Sequence, residues 1–352
     1  MTSKVCILSE GLGGTRDEGM RNFVASLSDA LGRRVHVDTL SLDTGVGTPG
    51  EIRTNRLLLS GTLKRELASR NPDVILYVPL ASSTTGSYIR SWVLRRLCPR
   101  AHVVMVALQP RRHGTGSRTL MRWFRPDGLL VQHSGPESDH PGFVPTGTLP
   151  SGVDTSRFKP LPPKERREVR KSLGFGNSEF VVLHVGHIRR QRNVGVLESL
   201  CREIPCRAVL VGSTSTEQDD LLACELERHG VRVIRERVPE IEQIYQASDA
   251  YLFPVSSDQA AIEMPLSVLE AMACNLPVLS TRFGALPKHF PEGRGIWYFD
   301  NEDEIPDLLG KAMEGSEVFT REQVLPFGWD EVAATLQRTL EGWGMLPGGG
   351  GP

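Results

Sequence analysis

Between Ala250 and Thr281 the hydrophobic pattern of the chain changes period twice, and few folds accommodate that. Ala250-Tyr251-Leu252-Phe253-Pro254-Val255 is an unbroken apolar run of strand length, and Val278-Leu279-Ser280-Thr281 is a second. Pro265, between them, suits the first turn of a helix, because its φ is preset and it lacks an N–H that would have no partner there. Leu266, Leu269, Ala273 and Leu276 follow at three- and four-residue spacing, and Asn275 before Leu276-Pro277 supplies a stop. The spacing predicts a helix of about three turns starting at Pro265. The whole is a strand–loop–helix–strand unit.

The same alternation fills the chain. In the first half it predicts strands over 5–8, 34–40, 73–78, 102–108 and 128–131. Helices are expected from a cap at Asp17 to Leu31, over 57–69 and over 87–97. Pro150-Ser151-Gly152-Val153-Asp154-Thr155-Ser156-Arg157-Phe158-Lys159-Pro160 disfavours regular structure and reads as a boundary. The pattern then restarts, with helices over 165–173, 194–200, 221–229 and 241–246 and strands over 181–185, 208–211 and 231–234. A last helix begins near Trp329, and Gly348 to Pro352 reads as a flexible tail. Strands alternating with helices imply α/β architecture with parallel, doubly wound sheets. The expected division is residues 1–150, a linker over 151–160, residues 161–325, a C-terminal helix over 326–344 and a tail over 345–352.

With 39% apolar and 24% charged residues, the 352-residue chain has the composition of a soluble globular protein. Its six cysteines are scattered without a Cys-x-x-Cys pair, which argues for reduced thiols in a cytoplasm and against a zinc site. No signal-peptide core precedes the first strand, and the longest apolar run, Val103 to Leu108, is too short to span a bilayer. A soluble protein, cytoplasmic and at most peripheral at the inner membrane face, is expected. Charge is unevenly spread. Residues 1–150 carry 19 Lys+Arg against 12 Asp+Glu, and the remainder 22 against 30. From Gly86 to Pro126 there are nine arginines (Arg90, Arg95, Arg96, Arg100, Arg111, Arg112, Arg118, Arg122 and Arg125) and no acid. Tyr88, Ile89, Trp92, Val93 and Leu97 are interleaved with them, and Trp123-Phe124 lies between Arg122 and Arg125. Such a block faces an anionic partner, an anionic membrane surface among the candidates, or bulk solvent with its aromatic residues in the core.

Chemistry concentrates at the mouth of the helix that opens at Pro265. Its first amides, those of Leu266, Ser267 and Val268, present N–H donors and a partial positive charge, which suits a phosphate or sugar oxygen. Glu263 lies in the loop before it and Glu270 on the helix. Taken alone, Glu263 is a helix cap and Glu270 a solvated charge. Taken together, Pro265-Leu266-Ser267-Val268-Leu269-Glu270-Ala271-Met272-Ala273 followed by Leu276-Pro277-Val278 resembles the signature of family 4 of the retaining nucleotide-sugar glycosyltransferases. There a loop Glu faces the donor sugar and a helix Glu holds the nucleotide ribose. Glu270 matches the second position. The family's spacing back from Glu270 lands on Ile262, with Glu263 one place later. Either Glu263 takes the role through a slightly different loop, or the sugar contact has changed.

The resemblance extends to Gly186-His187-Ile188-Arg189-Arg190-Gln191-Arg192-Asn193, which follows a predicted strand. The family places an Arg directly after that Gly and a Lys farther on, both on the donor diphosphate; His187 and Arg192 stand in those positions. An arginine always carries its charge and binds phosphate bidentately, whereas a neutral imidazole offers one donor. Asn193 lies in the same loop, with an ordinary turn role equally open. Where the family ends a first-domain strand with a His touching the sugar, this chain has Gln109, which can hydrogen-bond but not carry a proton. His113 lies four residues on and is a loop histidine or a second sugar contact. Gly13 and Gly14, in the turn Gly11-Leu12-Gly13-Gly14, allow close approach of backbone to a ligand but lack the full dinucleotide spacing.

The resemblance implies two Rossmann-like domains facing across a cleft, the GT-B fold, with the acceptor on the first domain, the donor on the second, and the last helix crossing back to pack on the first. It implies a retaining transferase that moves a hexose-type sugar from a nucleoside diphosphate to an acceptor hydroxyl of a sugar, a lipid-linked or another molecule. Glu263 and Arg192 are the expected catalytic residues. Gly186, His187, Arg192, Asn193, Pro265, Leu266, Ser267, Val268 and Glu270 are expected on the donor, and Gly13, Gly14, Gln109 and His113 in the first domain. No Asp-x-Asp pair follows a strand end, so metal-independent transfer without a cofactor is expected, and no nucleic-acid partner. Two alternatives remain: a nucleotide-sugar epimerase on the same scaffold, and a protein that binds a nucleotide sugar or glycan without catalysis.

Overall fold

The computed structural model describes residues 3–13, 19–45, 50–80, 82–109, 111, 113–133, 143–214, 218–257 and 259–347. The chain divides into two compact units, Met1–Gly152 with Trp329–Pro352, and Val153–Gly328. In the first, β1 (Lys4–Glu10), β2 (His36–Asp43), β3 (Ile52–Arg53), β4 (Val74–Val78), β5 (His102–Ala107), β6 (Gly128–Val131) and β7 (Thr146–Thr148) form a sheet of order β3-β2-β1-β4-β5-β6-β7. Every pairing is parallel. Helices α1 (Gly19–Gly32), α2 (Gly61–Arg70), α3 (Thr85–Leu97) and α4 (Thr115–Trp123) make the crossovers. All five residues of β4 and the last five of β5 are buried. Covering both faces of a parallel sheet requires such continuous apolar runs, each buried Val, Leu or Ile contributing roughly 1.5–3 kcal/mol.

The second unit repeats the plan. It contains β8 (Phe180–Gly186), β9 (Cys206–Gly212), β10 (Arg232–Ile234), β11 (Ala250–Phe253), β12 (Val278–Thr281) and β13 (Ile296–Phe299), in the order β10-β9-β8-β11-β12-β13 and again parallel. Its helices are α5 (Pro163–Ser172), α6 (Val196–Glu203), α7 (Asp220–Arg228), α8 (Ile241–Ala247), α9 (Leu266–Ala273), α10 (Leu286–His289), α11 (Ile305–Met313) and α12 (Thr320–Val324). Strand order reverses direction at β1/β4 in the first unit and at β8/β11 in the second. The loops leaving those strand ends diverge, and such switch points are where doubly wound sheets hold ligands.

The last helix, α13 (Trp329–Gly342), belongs to the first unit. The Trp329 ring meets Phe23 of α1 edge-on at 5.5 Å, and Arg33 at the end of α1 reaches Asp330. Glycine is needed beneath it. A Cβ on Gly152 would come within 2.5 Å of Trp329 and one on Gly128 within 2.6 Å of Trp343. Two doubly wound Rossmann-like sheets are therefore present.

Several elements differ from the sequence expectation. The helix expected over 57–69 begins only at Gly61, capped by Ser60, because Leu58 takes φ 61° and breaks the turn ahead of it. The strand expected over 34–40 runs from His36 to Asp43, shifted with its pairing to β1. Pro265 is the residue before α9 rather than within its first turn, and α9 has eight residues rather than about three turns. Asn275, at φ 58°, does terminate it. Strand β7 and helix α4 are too short or too polar to be read from periodicity, and the sequence expectation also lacks β13 and α11. The expected Asp17 cap and the terminal glycine tail lie outside the described residues.

Candidate functional site

The two strands at the switch point of the second unit carry a linked set of polar groups. His184, the fifth residue of β8, is fully buried; its Nδ1 meets the Leu252 carbonyl at 2.8 Å. That contact places the proton on Nδ1 and leaves Nε2 an acceptor without a partner among the described residues. Burial, aided by the nearby Arg192 charge, lowers the imidazole pKa to about 4, so the ring is neutral at physiological pH. Its Nε2 sits beneath Gly186. A Cβ built there would come within 3.0 Å of Nε2 and 3.6 Å of Arg192 Nη1. Gly186 thus leaves room for the His184 ring, while Arg192 would stand at ordinary contact distance from such a Cβ.

Arg192 closes a short 3-10 turn, Arg190–Arg192. Beside it, Arg190 pairs with Glu225 at 3.2 Å, and Asn193 donates from Nδ2 to Glu302 at 2.8 Å. Arg192 is half-buried and pairs with no carboxylate among the described residues. Burial lowers its pKa to about 10, with the Tyr251 hydroxyl opposing, and it stays cationic at neutral pH. A desolvated guanidinium without a counter-charge is costly, and its chemistry suits an anion.

Tyr251 of β11 bridges to the helix. Its hydroxyl lies 3.3 Å from the Val185 carbonyl and 3.4 Å from the Val185 amide, and it bonds the Ser267 side chain in the first turn of α9. The rings of Tyr251 and Tyr245 stack at 5.9 Å, and the Tyr245 hydroxyl donates to Glu270 Oε2 at 2.7 Å. Burial raises the Glu270 pKa to about 7, against the opposing effect of that hydrogen bond. Glu270 is therefore not the fully solvated charge expected of it when taken alone. The α9 mouth needs one correction: the Val268 amide donates to the Pro265 carbonyl at 3.1 Å and is already used. Leu266 and Ser267 are the first-turn residues whose N–H groups have no acceptor within the helix.

Glu263 lies three residues ahead of α9 and is 3% exposed. Its carbonyl accepts from the Ala285 amide at 2.9 Å, and a Cβ on Gly284 would collide with that carbonyl at 2.5 Å. The loop is thus held at its backbone. His187 follows Gly186 directly and is half-buried. His184, Tyr245 and Tyr251 were not anticipated. Their signal was polar atoms inside apolar runs, which periodicity does not interpret.

The first-unit candidates occupy their own sheet edge. The Gly13 amide donates to Glu51 Oε1 at 2.6 Å, and Gly14 lies outside the described residues. Gln109, just after β5, is held through its backbone by the Ser82 hydroxyl and accepts from Arg111 at 3.3 Å. His113 is half-buried, its pKa lowered by burial and by Arg118 and Arg111. The acid-free arginine block is partly neutralised by acids outside it. Arg90 pairs with Glu10 at 2.7 Å and Arg95 with Asp127 at 3.0 Å. Tyr88 is core, and Trp92 packs on Phe124. Among the described residues no cluster of three His, Cys, Asp or Glu side chains could hold a metal ion.

Residues 179–314 match the family described as Glycosyl transferases group 1. The matched stretch lies within the second unit. The chain is 28% identical over 236 residues to a D-inositol 3-phosphate glycosyltransferase of Paenarthrobacter aurescens, covering 61% of this chain and 54% of that protein. It is 25% identical over 185 residues to a GDP-mannose-dependent monoacylated alpha-(1-6)-phosphatidylinositol monomannoside mannosyltransferase of Corynebacterium glutamicum, covering 50% of this chain and 48% of that one. The chain thus spans about half the length of the curated relatives it matches. Among solved structures, sucrose-phosphate synthase from Thermosynechococcus elongatus superposes with TM-score 0.76 at 16% identity, over 97% of this chain and 98% of the other. Anabaena HepE in complex with UDP-glucose superposes with TM-score 0.72 at 14% identity, over 97% and 100%. The fold is that of the GT-B glycosyltransferases.

Proposed function

We propose that this protein transfers a sugar from a nucleoside-diphosphate donor to an acceptor hydroxyl, with retention of anomeric configuration and without a metal ion. The observation that carries the reading is Arg192, half-buried beside Gly186 at the β8/β11 switch point and lacking a carboxylate partner among the described residues. A diphosphate supplies the missing charge, and a guanidinium meets it with two parallel hydrogen bonds. The Leu266 and Ser267 amides at the α9 mouth add donors. Glu270 accepts from the ribose hydroxyls in its ionised form, and Glu263 orients the sugar hydroxyls.

As the glycosidic bond lengthens, negative charge collects on the departing diphosphate, where Arg192 and the helix mouth stabilise it. The sugar acquires oxocarbenium character, and the acceptor attacks from the face the diphosphate leaves, so no protein nucleophile is required. We assign the acceptor to the first unit. The P. aurescens and C. glutamicum relatives are named for an inositol phosphate and a phosphatidylinositol mannoside, and a phosphate-bearing acceptor suits the arginine excess of residues 1–150.

Incubation with a panel of nucleotide sugars in excess chelator tests this. Donor-specific release of nucleoside diphosphate is expected, with the product's anomeric proton showing the donor's configuration. Binding without turnover for every donor and acceptor tried would contradict transfer. Activity lost with chelator and restored by magnesium or manganese would contradict metal independence.

A further inference from the structure

Among its described residues the first unit has five large apolar side chains at its surface: Leu57, Leu59, Leu80, Leu120 and Trp123, the last 78% exposed. All five surround α3. Leu57 and Leu59 project from a turn built to display them. Asn55 Oδ1 accepts from the amides of both, at 3.0 and 2.9 Å, while Leu58 between them takes φ 61° and is fully buried. Positive φ in a leucine is strained backbone, here maintained so that one leucine enters the core and two face outward. The turn is fixed to α3 because Arg90 Nε donates to the Arg56 carbonyl at 2.7 Å.

On the opposite flank of α3, Thr85 bonds Ser117 at 3.2 Å and Trp92 meets Phe124 edge-on at 5.5 Å, which anchors α4. Arg90 on one side and Thr85 and Trp92 on the other lie about half a turn apart by the helical period. Helix α4 buries only Met121 and exposes Leu120 and Trp123. Leu80 lies in the loop that leads into α3, its amide held by Glu10 at 2.9 Å. Exposed arginines rim this surface: Arg53 and Arg56 on the turn, Arg118, Arg122 and Arg125 on and after α4. Among the described residues no carboxylate pairs with Arg53, Arg56, Arg122 or Arg125. Arg90 and Arg95, neutralised by Glu10 and Asp127, take no part.

We propose that this face docks the protein on an anionic lipid surface, Leu57, Leu59, Leu80, Leu120 and Trp123 entering the interface while the arginines meet headgroup phosphates. Few apolar side chains, on two separate short segments and ringed by charge of one sign, fit a bilayer, which accepts discontinuous shallow insertions and supplies uniform negative charge. A protein partner of ordinary size calls for a contiguous apolar centre, with charges of both signs in its rim. Trp and Arg also suit the headgroup level, where an apolar body and a polar tip are both accommodated.

The full chain is sedimented, without nucleotide, with phosphatidylcholine vesicles and with vesicles of phosphatidylcholine mixed with phosphatidylglycerol. At least about tenfold stronger binding to the anionic vesicles is expected, reversed by added salt, since such attraction is screened within about 8–10 Å. The double variant Leu57→Ser/Leu59→Ser and the single variant Trp123→Ser each lower that binding about five- to tenfold with unchanged melting temperature, all three side chains being exposed. Equal sedimentation with both compositions, none with either, or binding unaffected by both variants overturns the proposal. The second of these outcomes would turn attention to a protein partner. Donor binding plays no part in the assay, so its result and that of the proposed transfer stand apart.

Discussion

Each unit sets an arginine beside a tyrosine of its switch-point strand, Arg90 of α3 beside Tyr77 of β4 and Arg192 of the 3-10 turn beside Tyr251 of β11, and the two pairs are finished differently. In the first unit Tyr77 of β4 donates to Glu10 at 2.8 Å, and Arg90 completes the ion pair with the same carboxylate at 2.7 Å. Glu10 is 5% exposed and also accepts from the Leu80 amide, so all its charge is met within the chain. In the second unit Tyr251 of β11 faces Arg192, but no carboxylate among the described residues pairs with it. The first set is a closed structural network and the second an open one. Closed networks reward folding; open ones wait for a ligand.

The largest expected effect breaks the closed network. Arg90→Ala strands Glu10 with a buried charge and should cost about 3–4 kcal/mol, the scale for removing one partner of a buried pair, by chemical denaturation. Arg192→Ala orphans no acid and should change stability by less than about 1 kcal/mol. Comparable losses in the two variants would erase the distinction.

Next in size is Glu263. If it orients the sugar, Glu263→Gln lowers turnover on the order of a hundredfold and leaves diphosphate affinity nearly intact, because the lost interaction belongs to the transition state. Wild-type turnover would make the carboxylate a structural member of the loop only.

A smaller effect concerns Glu270. Its folded pKa, about 7, lies above the ordinary carboxylate value of 4.5, so the folded state holds an extra proton between those values. Stability therefore falls as pH rises through that window, and the penalty is fully present above it. Glu270→Gln keeps an acceptor for Tyr245 and should raise stability at pH 8 by about 1–2 kcal/mol, discounted for partial exposure, and hardly at all at pH 4.5. In the wild type, affinity for a nucleotide sugar, whose diphosphate does not titrate there, should rise as pH passes 7. A flat profile would detach Glu270 from the ribose.

The architecture was legible because parallel sheets need long apolar runs, and Val74 to Val78 or Val103 to Leu108 can be little else. The linked groups were legible one by one. Arg192 follows a predicted strand and Glu270 lies on a predicted helix. Nothing in the spacing reveals that Tyr245 and Tyr251 connect them, because strand periodicity specifies a face and not a partner. The arginine block misled for a related reason: Glu10 is 80 residues from Arg90 and Asp127 is 32 from Arg95. Leu57 and Leu59 fall inside an expected helix, and spacing does not reveal the positive φ of Leu58 that takes them out of it.

The central claim is that the open arginine of the second unit serves a diphosphate. Calorimetric titration of the wild type, Arg192→Ala and Arg90→Lys with a nucleoside diphosphate tests it most directly. Arg192→Ala should weaken binding by about 1.5–3 kcal/mol, the scale of a charge-assisted hydrogen bond, while Arg90→Lys, which retains the charge beside Glu10, binds as wild type. Unchanged affinity in Arg192→Ala would contradict the account.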